Sequence, residues 1–121
     1  MKTILLLLAD VLANTGAHIS LKRSAARRGV KLFLLWQVIG NLAGFGGVLA
    51  YTALMRGGMS LHVAYPLTEG LTAIGVQIVG GMIVFRERIS PVTWVGTGLI
   101  LSGIVFFGAS ALGLLALRRD Q

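Results

Sequence analysis

The sequence predicts an all-α integral membrane protein with four transmembrane helices per chain, its bundle completed by dimerisation. Three observations carry that prediction. Of 121 residues, 55% are hydrophobic and 12% charged, against roughly 25% charged in a soluble domain. Four apolar windows, at about 3–19, 32–55, 61–85 and 91–117, approach or exceed the roughly 20 residues that cross a bilayer. Short basic segments separate them: "LKRSAARRGVK", "RGGMS" and "RERIS". Together the windows form one domain over residues 1–121.

The net charge of +7 would suggest a nucleic-acid partner in a soluble protein. Here the Lys and Arg residues flank apolar runs, as they do at membrane surfaces. No segment between the runs is long enough for a nucleic-acid module, so none is expected as a partner. With no cysteine in the chain, disulfides and thiolate metal sites are excluded.

The first span reads "LLLLADVLANTGAHIS". Its start, "MKTILLLLAD", has the basic-then-apolar order of a signal peptide. Asp10 breaks the apolar stretch and no A-x-A site follows promptly, so the segment is read as a retained span. Asp10, Asn14 and His18 recur every four residues and share one helix face; Lys22 continues the row. A carboxylate at bilayer depth costs several kcal/mol and belongs beside protein or water. Desolvation there disfavours the charged form, which lets the group hold a proton and a cation in turn. Asn14 and His18 fit this polar line, and they fit equally well as interhelical hydrogen-bonding groups.

The second span carries Gln37 and Asn41 four apart, with Gly40 and Gly44 in G-x-x-x-G spacing, a pattern that lets helices approach closely. The third span, "LHVAYPLTEGLTAIGVQIVGG", holds a second acid. Tyr65 and Glu69 are four apart, with Thr72 three beyond. Pro66 removes a backbone donor, so a helix that continues through it is expected to bend, and with Gly70 it forms a candidate hinge. Pro91 suits the first turn of the fourth helix. That span has no charge between Pro91 and Leu117. Gly98 and Ser102 give it a smooth face for helix packing, so it is expected to pack or dimerise. Trp36 and Trp94 lie near the expected interfaces.

Of the four acidic residues, Glu87 and Asp120 fall at membrane edges, while Asp10 and Glu69 fall within spans. Seven basic residues on the side of the first and third loops, against four on the other, favour placing those loops in the cytoplasm. No Ser-His-Asp set, His-Glu-x-x-His motif or phosphate-binding loop occurs. The chain is therefore expected not to be an enzyme and to need no metal or cofactor. Asp10 and His18, two turns apart, make a poor metal site.

At these residues the chain resembles the small multidrug resistance family, the four-helix members of the drug/metabolite transporter superfamily. "ADVLANTGAHIS" is similar to that family's first-helix motif, "VAYPLTEG" to its third-helix motif, and "FRERISPVTWVGTGLILSGIVFFG" to its closing loop and last helix. The resemblance implies that Asp10 is the membrane carboxylate for proton and cargo, that Tyr65 is the third-helix tyrosine, and that Gly70 is the first hinge glycine. It further implies a multi-pass protein of the bacterial inner membrane. The departures are specific. The family's first-helix acid is normally glutamate, its binding-site tryptophan is Thr68 here, and its second hinge glycine is Thr72. Glu69 matches the polyamine-exporting relatives, whereas "AYP" and "SPVTW" look more like lipid-linked aminoarabinose flippase subunits.

The expected activity is proton-coupled export of a small cation or amphiphile, with Asp10, Glu69, Tyr65 and Asn14 binding proton and cargo. The alternatives are a subunit of a polar-lipid flippase, whose membrane-lipid cargo would meet the basic first loop, and a non-transporting membrane scaffold. A chamber for cargo requires a homodimer or a paralogous heterodimer. The family resemblance implies an antiparallel pair, while the charge bias favours one fixed orientation.

Overall fold

The computed structural model describes residues 1–119, without the side chains at 111 and 114–118; Asp120, assigned above to a membrane edge, lies outside it. Four helices follow in chain order: α1 (Lys2–Ala25), α2 (Val30–Arg56), α3 (Leu61–Gly75) and α4 (Pro91–Arg119). Beyond Gly75, α3 continues as a π-helical segment, Val76–Val84. Each is long and apolar enough to cross a membrane. In hydrocarbon every backbone N–H and C=O must be paired within the chain, and helices achieve that segment by segment.

The helices are held by small residues rather than by a wide apolar core, as expected where lipid tails compete for large side chains. A Cβ added at Gly40 would meet Leu21 Cδ2 at 3.1 Å and the Ala17 carbonyl at 3.2 Å, and one at Gly47 would meet Asn14 Nδ2 at 2.6 Å. The register therefore runs antiparallel, Leu21 against Gly40 and Asn14 against Gly47. A Cβ at Gly75 would meet Thr15 Oγ1 at 2.7 Å, and one at Gly80 would meet Ile19 Cγ1 at 3.2 Å. Both numbers rise together, so α1 and α3 run in the same direction. Gly70 packs against Ile100 and Ile104 of α4. Among the described residues α4 packs against the third span, α3 and its π segment.

The first helix runs six residues beyond the apolar window that predicts it, and the first loop shrinks to residues 26–29. Tertiary contacts sustain the extension. Ser20 and Ser24 are buried, and Ser24 Oγ donates to the Phe33 carbonyl at 2.8 Å. Lys22 pairs with Glu87 and lies 4.7 Å from the centre of the Phe85 ring, while the Arg23 guanidinium lies 5.2 Å from the Trp36 ring centre. Basic side chains whose stems pack on aromatic rings can end a membrane helix inside the interface.

The third helix continues through Pro66, and its departure from α geometry comes ten residues later. From Val76 the turns widen to the π repeat, closing with Phe85 N–H bonded to the Gly80 carbonyl at 2.9 Å and Glu87 N–H to the Gly81 carbonyl at 2.7 Å. Such wide turns are rare and concentrate at functional sites. Arg86, at φ 52°, then reverses the chain. Ser90 caps α4, its Oγ accepting the Thr93 N–H at 3.2 Å, with Pro91 in the first turn.

Candidate functional site in the membrane

The α1–α2 contact explains how an acid comes to lie inside the bundle. Gly47 has no side chain, so α2 closes onto Asn14, and the neighbouring turn of α1 is enclosed with it. Asp10 is 2% exposed. Asn14 Nδ2 donates to Asp10 Oδ1 at 2.8 Å and to the Asp10 carbonyl oxygen at 3.0 Å. The i, i+4 spacing read in the sequence is thus a direct hydrogen bond. Among the described residues the ion pair found joins Lys22 to Glu87; Asp10 and Glu69 have no basic partner. Burying a charge with only a neutral partner is costly, and a bound proton or cation would offset that cost.

Glu69 approaches from α3, which runs alongside α1. It is exposed in the protomer, yet it lies close enough to act electrostatically on Asp10. Together with His18, Thr72, Ala73 and Val76 it lines a groove of about 260 Å³. Two tyrosines belong to the same neighbourhood, the Tyr51 hydroxyl standing in the field of Asp10, Glu69 and Tyr65. Tyr65 is 58% exposed. Thr68 is buried and turns back on its own helix, donating to the Ala64 carbonyl at 2.8 Å. No aromatic wall stands at that position of α3.

His18 also lines a second cleft of about 350 Å³ toward the first and third loops, with Lys22, Gln77, Phe85, Glu87 and Arg88. Thr97 Oγ1 of α4 donates to Gln77 Oε1 at 2.7 Å, tying α4 to the π segment. The remaining residues singled out in the sequence fall elsewhere. Gly40 and Gly44 face Ala17 of α1. Pro66 and Gly70 lie in the α-helical half of the third span. Gly98 and Ser102 are exposed within the protomer, Ser102 Oγ donating to the Gly98 carbonyl at 3.0 Å.

The sequence reading missed Tyr51. Its signal was present: Gly40, Gly44 and Gly47 mark the face of α2 that meets α1, and Tyr51 is four residues past Gly47 on that face. The Gln77–Thr97 bond was missed because it joins two spans through residues that carry no charge.

Known proteins extend this picture. The chain is 32% identical over 104 residues to a spermidine export protein, MdtI, of Yersinia enterocolitica, covering 86% of this chain and 90% of that one. It is 30% identical over 79 residues to the quaternary ammonium compound-resistance protein QacG of a Staphylococcus species, covering 63% and 73%. It is 29% identical over 114 residues to ArnE of Aeromonas salmonicida, a probable 4-amino-4-deoxy-L-arabinose-phosphoundecaprenol flippase subunit, covering 89% and 97%. No family profile and no solved structure matches the chain. Four membrane-crossing helices, a carboxylate enclosed among them and relatives of this kind, matched over 73–97% of their length, lead to one conclusion: the chain is a multi-pass bacterial inner-membrane transporter and belongs to the small multidrug resistance family.

Proposed function

We propose that the protein exports a small organic cation in exchange for protons, and that linear polyamines are its preferred class of cargo. The observation that carries this reading is the pair of membrane carboxylates, Asp10 buried with Asn14 as its neutral partner and Glu69 acting on it from α3. A bound proton or a bound ammonium each relieves the charge that the hydrocarbon opposes, and both cannot be held at full strength on one carboxylate. Arrival of one therefore expels the other. Two acids in one protomer match a cargo with two or more ammonium groups. Thr68, where the family's aromatic wall stands, leaves less to attract a flat single-charged cation. The likeness to a spermidine exporter over 90% of its length supports the same class.

Asp10 is closed off in this conformation, so helices must part to admit cargo from one side and then from the other. A single protomer leaves Glu69, Tyr65 and the small-residue face of α4 exposed. A second copy, or a paralogous partner, completes the chamber, with α1 to α3 as its walls and α4 between protomers. Proteoliposome flux tests the exchange. An imposed pH gradient drives polyamine uptake by the wild-type chain, and Asp10→Asn reduces it to the level of empty vesicles. Equal gradient-driven uptake by both would reject the role of Asp10.

A second reading is a polar-lipid flippase subunit, favoured by the match to nearly all of ArnE and by the exposed Arg27 and Arg28 of the first loop and Lys31 at the start of α2. Each such residue near an anionic leaflet contributes about 1 kcal/mol. Transport of a lipid phosphate that ignores the proton gradient would favour it over the cation reading.

A further inference from the structure

The Tyr51 hydroxyl is one of the buried polar groups among the described residues that exchange at Asp10 leaves unused. Its hydroxyl oxygen is buried and has no hydrogen-bond partner among the described residues. An unpaired buried hydroxyl costs free energy that a partner recovers. The register of α1 and α2 fixes what it can reach. Leu21 lies against Gly40, Ala17 against Gly44 and Asn14 against Gly47. One turn further along each antiparallel helix brings Tyr51 opposite Asp10. The charged and titratable groups around the phenol are Asp10 on α1 and Glu69 and Tyr65 on α3.

A neutral phenol has one O–H to donate and lone pairs to accept. The phenol makes no hydrogen bond to either carboxylate in this structure; their negative field favours turning the O–H toward them, which leaves the lone pairs for a donor that the described side chains do not supply. An ammonium group bearing N–H supplies it; a quaternary ammonium has no N–H. We propose that Tyr51 is a cargo-binding residue that selects N–H-bearing ammonium groups over quaternary ones, by accepting a hydrogen bond from the cargo nitrogen at the Asp10 site. This rests on the exchange reading above and adds its specificity. One hydrogen bond from a charged donor sets the scale, a preference of roughly ten- to hundredfold.

The test uses the full chain in lipid nanodiscs and two dications with the same six-carbon spacer, hexamethylenediamine with N–H groups and hexamethonium without. The chain has two tyrosines, so carbon-13 labelling at the phenol Cζ gives signals that Tyr65→Phe assigns even if Tyr51→Phe folds poorly. The Tyr51 signal is expected to shift on adding the diamine and to stay in place with hexamethonium. Tyr51→Phe is expected to lower the ratio of diamine to hexamethonium affinity by roughly ten- to hundredfold. Equal shifts with both compounds, or an unchanged ratio, overturns the assignment. Gradient-driven flux, measured alongside, separates the two claims. Flux with an unchanged ratio removes the Tyr51 role and keeps the exchange. A selective Tyr51 response without flux keeps the selectivity and removes the exchange.

Discussion

The two ends of α1 treat charge in opposite ways. At the loop end, charges of α1 find partners within the chain: Lys22 pairs with Glu87 and covers Phe85, and Arg23 lies over Trp36. At mid-membrane, Asp10 is nearly sealed from solvent, its hydrogen-bond partner is the neutral amide of Asn14, and its charged neighbour is another acid, Glu69. The first arrangement is complete and structural, a clasp between α1 and the end of the third span. The second is incomplete, and its missing element is a positive charge. On the proposed exchange, that charge arrives as a cation or a proton.

That contrast ranks the effects of substitution. The largest is at Asp10, where Asn keeps the size and the link to Asn14 and removes the exchangeable charge; gradient-driven cation flux is expected to fall to background. Next is Glu69→Gln, which removes the second acid. The apparent affinity for a polyamine is expected to fall on the order of tenfold, the scale of one charge pair largely screened by water at the exposed Glu69, while a monocation is affected less. A ratio of affinities unchanged between polyamine and monocation would detach Glu69 from the cargo site.

Smaller again is Gly47→Ala. The added methyl overlaps Asn14, so the α1–α2 contact must loosen, at about 1–3 kcal/mol for overpacking. A lowered thermal unfolding temperature in detergent, with weaker cargo binding, checks it; unchanged values for both would show that the Asn14 contact does not hold Asp10. The smallest effect is expected at the loop end. Lys22 and Glu87 are each about half exposed, and such pairs contribute about 0–1 kcal/mol. Glu87→Gln should therefore shift the unfolding temperature slightly and leave cargo affinity unaltered. A loss of affinity there as large as at Glu69 would break the division between clasp and site.

How much could be read in advance follows the same division. The four spans were legible because a bilayer demands long apolar runs, and "MKTILLLLAD" through "GLLAL" supplies them. Asp10 and Asn14 were legible because a carboxylate in such a run is conspicuous and the helical repeat is local. The last six residues of α1 were not, since Ser20, Lys22, Arg23 and Ser24 look like loop until Phe33, Trp36 and Glu87 are brought to them by the fold. The widened turns over Val76–Val84 were not, because "VQIVGGMIV" is equally apolar whichever repeat its carbonyls adopt. Tyr51 stands on the face that Gly40, Gly44 and Gly47 mark, but its place opposite Asp10 depends on the register between α1 and α2, which Gly47 sets by having no side chain.

Proton release on cargo binding tests the central claim most directly. In weakly buffered detergent solution at neutral pH, adding a polyamine to the wild-type chain is expected to acidify the medium in proportion to cargo bound, and Asp10→Asn is expected to release nothing. Binding by the wild-type chain with no proton released, or equal release by Asp10→Asn, would contradict the account.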